Sequence, residues 1–200
     1  MSLTAQAFGL APAYHRGGGQ IVANRFNILN NSGTGYGTSI YKGDLVTIDT
    51  GNNGTVEIGT GTDAALGVFA GCEYIDATGK PVVSPYWPAS TSVLSGSEIV
   101  AWVYDDPNIV YRVGTSSSGA ADIAQDVILD QFDVASVGSG STSTGLSSSS
   151  ITAAAVGNGA TAQVRCVGLV DGVYNATTNP YPILYVQINQ LQVAANAAVV

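Results

Sequence analysis

Apolar positions in this chain come in short runs separated by Gly, Asn, Asp, Ser and Pro, and within most runs they follow the two-residue period of a half-buried strand. The pattern predicts strands over residues 21–28, 40–48, 55–58, 66–75, 81–83, 99–104, 109–113, 163–170 and 183–188. Lys42-Gly43-Asp44 makes a bend inside the second of these. Asp49-Thr-Gly-Asn-Asn-Gly54 carries hairpin turn chemistry, and Asp76-Ala-Thr-Gly79 and Asp105-Asp106-Pro107-Asn108 mark further turns. Residues 99–104, IVAWVY, are apolar throughout, which predicts a central strand covered on both faces. Alternation over 183–188 continues to Asn189-Gln190, where the parity of apolar positions flips, as a bulge or a strand end would produce.

Three segments depart from this pattern. Residues 120–129 place Ala120, Ile123, Ala124 and Val127 on one helical face opposite Asp122 and Asp126, with Ser118 as cap. Residues 136–150 are almost entirely Ser, Thr and Gly, fitting a linker or an alternating strand through Leu146 and Ile151. Residues 1–20 read as a flexible arm, with Gly17-Gly18-Gly19 as its joint and no strand period over Pro12-Ala-Tyr-His-Arg16. The expected fold is therefore all-β, a β sandwich or partly open barrel, with one short helix and an extended N-terminal arm. Residues 21–195 form a single β-rich domain, and 196–200 a tail.

Composition narrows the function. Only 10% of residues are charged, and eighteen of the twenty charges fall in residues 1–133; the rest of the chain holds only Arg165 and Asp171. A surface so thinly charged is either coated with Ser, Thr, Asn and Gly or shared with partners. Net charge is −8, and the six basic residues are scattered singly, so no basic patch argues for nucleic acid. No apolar run is long enough for a membrane helix, and the first residues lack the pattern of a signal peptide. Cys72 and Cys166 read as a buried, reduced pair with no metal spacing.

Candidate chemistry is scarce. His15 is the single histidine, and on an arm it lacks the rigid orientation that nucleophilic catalysis needs; an exposed or partner-contacting role fits better. Asp49-Thr50-Gly51 has the form of an aspartic-protease signature, but that chemistry pairs two carboxylates and no second such motif occurs. Asp105 and Asp106 are adjacent on a strand end and cannot face each other across one glycosidic bond. The aspartates at 122, 126, 130 and 133 read as a solvated helix face. Expected catalytic residues, metals and cofactors are none. Pro85-Tyr86-Trp87-Pro88 fixes an aromatic pair between two prolines, suited to a core corner or a docking surface.

Tyr41-Lys-Gly-Asp-Leu-Val46, Gly67-Val-Phe-Ala-Gly-Cys-Glu-Tyr74, Gly79-Lys-Pro81, Ser84-Pro-Tyr-Trp-Pro88 and Val103-Tyr-Asp-Asp-Pro107 together resemble the head decoration, or capsid cement, proteins of tailed bacteriophages. The likeness covers roughly residues 20–135, the remainder fitting only in general character. It implies a non-enzymatic β-rich protein, made in the bacterial host cytoplasm, that binds the outer surface of an expanded capsid and bridges neighbouring major capsid subunits. It further implies a homotrimer with arms reaching over adjacent subunits. On this reading Tyr14, His15 and Arg16 of the arm and Tyr86 and Trp87 of the corner are the candidate capsid or subunit contacts. The alternative is a carbohydrate-binding surface module using Tyr86 and Trp87.

Overall fold

The computed structural model describes residues 8–52, 54–60, 64–116, 128–152, 162–172, 175 and 181–192. In chain order the strands are β1 (Ala11–His15), β2 (Asn24–Ile28), β3 (Leu45–Ile48), β4 (Thr55–Ile58), β5 (Gly67–Ile75), β6 (Pro81–Ser84), β7 (Ile99–Tyr104), β8 (Ile109–Gly114), β9 (Gln131–Phe132), β10 (Val134–Ala135), β11 (Ser150–Ile151), β12 (Val164–Leu169) and β13 (Ile183–Ile188). The fold is all-β. Among the described residues the helical content is a single 3-10 turn at Asn31–Gly33. The helix expected over 120–129 lies outside the described residues except for Ile128 and Leu129, which sit in a turn.

β5 organises the first half. Its apolar run GVFAG has to satisfy two cores, because successive strand residues point to opposite faces. Val68 joins one buried cluster and Phe69 the other, as do Leu45 and Val46 on β3. The sheet runs β3-β4-β2-β7-β5-β6, and β5 returns to pair with β3, closing five strands into a small barrel with β6 appended on the β5 edge. β2 and β4 pair in parallel and the other neighbours antiparallel. A bulge between Phe69 and Gly71 bends β5 against β7; Gly71 has φ +151°, and a Cβ there would sit 3.0 Å from the Ser84 carbonyl oxygen. As the uniform apolar run implied, β7 is central, between β2 and β5.

The second layer is an antiparallel sheet, β1-β8-β13-β12-β9. Its inner face, including Ile109, Tyr111, Val113, Cys166, Leu184 and Val186, packs with Leu10, Leu45, Ala65 and Val68 against the barrel wall. β13 ends at Ile188, so the parity flip at Asn189-Gln190 marks a strand end.

Two segments differ from the sequence reading. Ala11–His15 is not an unstructured part of an arm but the edge strand of this second sheet, with Tyr14 opposite Val110 and His15 opposite Ile109. A register shift between Pro12 and Tyr14 breaks the two-residue period, and a proline is tolerated because the strand lies at an edge. The Ser/Gly stretch is not a linker. It folds back on the barrel, bridging Lys42 to Leu146 and Gly140 to Ser147, and Ser147 and Ser149 are buried.

That segment is pinned by Asp44, which is fully buried. Its Oδ1 accepts from the Ser147 hydroxyl (2.5 Å), the Ser149 hydroxyl (2.8 Å) and the Gly138 amide (3.2 Å), and its Oδ2 from the Tyr41 amide (2.8 Å). Burial raises the Asp44 pKa, and these four donors oppose the rise.

Candidate interaction surfaces

The residues that suggested chemistry occupy structural positions. Asp49 closes the β3–β4 turn, accepting from the Gly51 and Asn52 amides at 2.8 and 3.0 Å and from the Asn52 and Thr55 side chains. Burial would raise its pKa, but these hydrogen bonds outweigh it and hold the carboxyl below the usual range. Asp105 and Asp106 diverge: Asp105 accepts from Asn24 at 2.7 Å, while Asp106 pairs with His15. Both cysteines are buried free thiols, one in each core; burial pushes Cys72 up to about 12 and also raises Cys166. Among the described residues no group of three or more His, Cys, Asp and Glu side chains could hold a metal ion.

His15 is not the freely presented contact expected of it. Its side chain is 12% exposed, and Nε2 lies 3.1 Å from Asp106 Oδ2. The amides of Gly17 and Gly19 each donate to Nδ1 at 3.0 Å. Two donors aimed at Nδ1 make it the acceptor, so the ring proton sits on Nε2 and points at Asp106. The supposed glycine joint is a turn wrapped over the imidazole, and a Cβ at Gly19 would approach Cε1 to 3.1 Å.

The aromatic corner divides. Trp87 is 0% exposed, donates Nε1–H to the Tyr36 carbonyl at 3.0 Å and meets Tyr74 edge-to-face at 5.2 Å. A ring enclosed in this way cannot meet a partner or stack on a sugar, which removes Trp87 from both proposed contact sets. Tyr86 is half-buried, stacked on Tyr41 at 5.4 Å and 8°. Ser84 fixes the corner by donating its hydroxyl to the Tyr86 carbonyl and accepting the Tyr86 amide.

Beside that corner lies an exposed strand edge. β6 is the free edge of its sheet, and Val83 on it is 81% exposed. The Asp76 amide bonds to the Lys80 carbonyl, so by alternation Tyr74–Val82 and Cys72–Ser84 are the hydrogen-bonded pairs of β5 and β6. Pro81 and Val83 therefore turn their backbone groups outward. Pro81 and Pro85 have no N–H, so Val83 alone offers a free amide along this edge, which discourages indiscriminate strand pairing. Val83, Glu73 and Val100 form one row across β6, β5 and β7, flooring an apolar-walled groove of about 380 Å3 with Ile75 and the Arg25–Glu98 ion pair (2.5 Å). The two prolines at outward positions were the available signal for an edge strand.

A second surface is the outer face of the five-stranded sheet. Arg165, Gln187, Val110 and Tyr14 stand opposite one another across β12, β13, β8 and β1. Tyr185, Arg112 and Ala11 form the next row. Tyr14 is 45% exposed and meets Tyr185 edge-to-face at 5.5 Å, and Arg16 donates to Gln187 Oε1 at 2.9 Å. Thus Tyr14 and Arg16 share a face, whereas His15 turns away to Asp106, and neither adjoins the Tyr86 corner in sheet order. Arg112 and Arg165 stand 53 positions apart in the sequence, and only the topology brings them together.

Comparison with family models, with curated proteins and with solved structures finds no match for this chain.

Proposed function

We propose that the protein is a structural virion protein that binds the outer surface of an expanded bacteriophage capsid and stabilises it by bridging neighbouring major capsid subunits. The observation that carries the reading is Val83: a large aliphatic residue held 81% exposed on a proline-flanked edge strand, beside a largely apolar groove. A rigid apolar projection loses little conformational entropy on docking, and an exposed apolar edge beside a groove suits attachment. The sparse charge of the chain and the sequence likeness over roughly residues 20–135 support the same reading. A bridging protein attached at several points gains from high effective concentration, so modest contacts at each suffice. Homotrimeric assembly belongs to this proposal as an implication of the likeness. The carbohydrate alternative used Tyr86 and Trp87 together; the Trp87 ring is buried, and Tyr86 is half-buried and stacked on Tyr41.

The test is to mix the purified protein with expanded empty shells of a tailed phage whose virions contain it, prepared without it. Saturable co-sedimentation and a raised shell disruption temperature are expected. No co-sedimentation, or occupancy without any change in disruption temperature, overturns the proposal.

A further inference from the structure

Six basic residues scattered singly along an acidic chain look like isolated solvated charges, yet the fold gathers three of them. Arg112 and Arg165 project from the outer face of the five-stranded sheet, two strands and one row apart, or about 12 Å between Cα atoms at ordinary sheet spacing. Arg16 reaches over the same face through its bond to Gln187. The two rows that build the face, Arg165–Gln187–Val110–Tyr14 and Tyr185–Arg112–Ala11, contain no carboxylate. Among the described residues neither Arg112 nor Arg165 has an ion-pair or hydrogen-bond partner, although the chain carries fourteen acidic residues. Asp106 faces His15 and Asn108, and Asp105 faces Asn24; Asp130 and Asp133 flank β9 and Asp171 follows β12, and among the described residues none of the five is ion-paired to Arg112 or Arg165.

We infer that this face is a docking surface for an acidic protein partner, whose carboxylates the three guanidinium groups receive while Tyr14 and Tyr185 supply the apolar contact between them. Charge complementarity carries the assignment. A planar guanidinium matches a carboxylate with two parallel hydrogen bonds, and exposed arginines with no partner among the described residues keep those donors available. Tyrosine beside arginine is the composition enriched at protein interfaces. Three cations on one face are too few for a nucleic acid occupant, whose binding draws on a longer track of basic residues, whereas a carboxylate cluster needs only the guanidinium groups of this face. The surface is separate from the Val83 edge, and the inference stands whether or not the partner belongs to a capsid.

The experiment measures binding of the full chain to immobilised poly-L-glutamate and, in parallel, to duplex DNA, over a range of salt concentrations. Wild type is expected to bind polyglutamate, more weakly as salt rises, and to bind DNA less well. The Arg112→Glu/Arg165→Glu variant should lose about tenfold or more in affinity. The Lys42→Glu/Lys80→Glu variant, with the same change in net charge away from this face, should bind like wild type. Thermal melting establishes that the variants fold, and Arg112→Gln/Arg165→Gln serves if the charge reversal does not. Equal losses in the arginine and lysine variants, no polyglutamate binding, or tighter binding to DNA would each overturn the inference. Sedimentation at increasing protein concentration completes the test: self-association abolished by the arginine variant would give the face to a second copy of this chain and overturn its assignment to a foreign partner.

Discussion

His15 Nε2 and Asp106 Oδ2 stand 3.1 Å apart although 91 positions separate them, and that contact fastens the end of β1 to the β7–β8 turn. With the Gly17 and Gly19 amides on Nδ1, the imidazole satisfies a turn and a carboxylate at once. His15→Ala should therefore destabilise the protein by about 1–3 kcal/mol, the range for deleting one partner of a largely buried hydrogen-bonded set. Urea denaturation measures the loss, and amide exchange at Gly17 and Gly19 should accelerate more than exchange in the barrel. Unchanged exchange at those two amides would show that the ring does not organise the turn.

Trp87 is the largest fully buried side chain, and its substitution separates a core role from a contact role. Trp87→Ala should cost about 3–5 kcal/mol by opening a cavity against Tyr74. Trp87→Phe keeps most of the apolar volume but strands the Tyr36 carbonyl, costing about 1–3 kcal/mol. A Trp87→Ala protein with wild-type stability would contradict the enclosed position of the ring.

What could be read from the sequence follows from which forces act locally. Residues 67–72 and Ile99–Tyr104 were legible because burial on both faces demands uninterrupted apolar residues. The Asp49 turn was legible because its carboxylate bonds amides two and three residues on. β1 was not, since its bulge and Pro12 erase the alternation that identifies a strand. Nor was the burial of Ser147 and Ser149, two polar residues whose reason to be inside is Asp44, more than a hundred positions earlier. The arginine face was the least accessible of all: its rows take residues from β1, β8, β12 and β13, and no local pattern records which strands become neighbours.

Val83 distinguishes attachment from stability. Its side chain is exposed, so Val83→Asp should leave folding unchanged to within about 0.5 kcal/mol. The same change puts a charge where the proposed shell contact is apolar. Shell occupancy in co-sedimentation should fall several-fold, while the melting temperature of the free protein stays put. Full occupancy by Val83→Asp would remove this edge from the contact.

Asp44 sets an unusual sign in the response to pH. Burial raises its folded pKa above the ordinary 3.8, so its share of stability is fully present below that value and is lost as pH rises through the folded pKa. Asp76 and Asp106 run the other way. The Thr78 hydroxyl holds the first, and the Asn108 amide the second, below 3.8, so their shares are present above that value and vanish as pH falls. Asp44→Asn removes the first effect and keeps the others, which makes the difference between wild type and variant the informative quantity. The variant should be less stable overall, because an amide presents its NH2 group to donors that need an acceptor. Its deficit relative to wild type, from urea denaturation across a pH series, should shrink as pH rises above 3.8, because only wild type must then hold a buried charge. A deficit that grows with pH would mean that the four donors more than offset the cost of burial and that Asp44 is most stabilising when ionised.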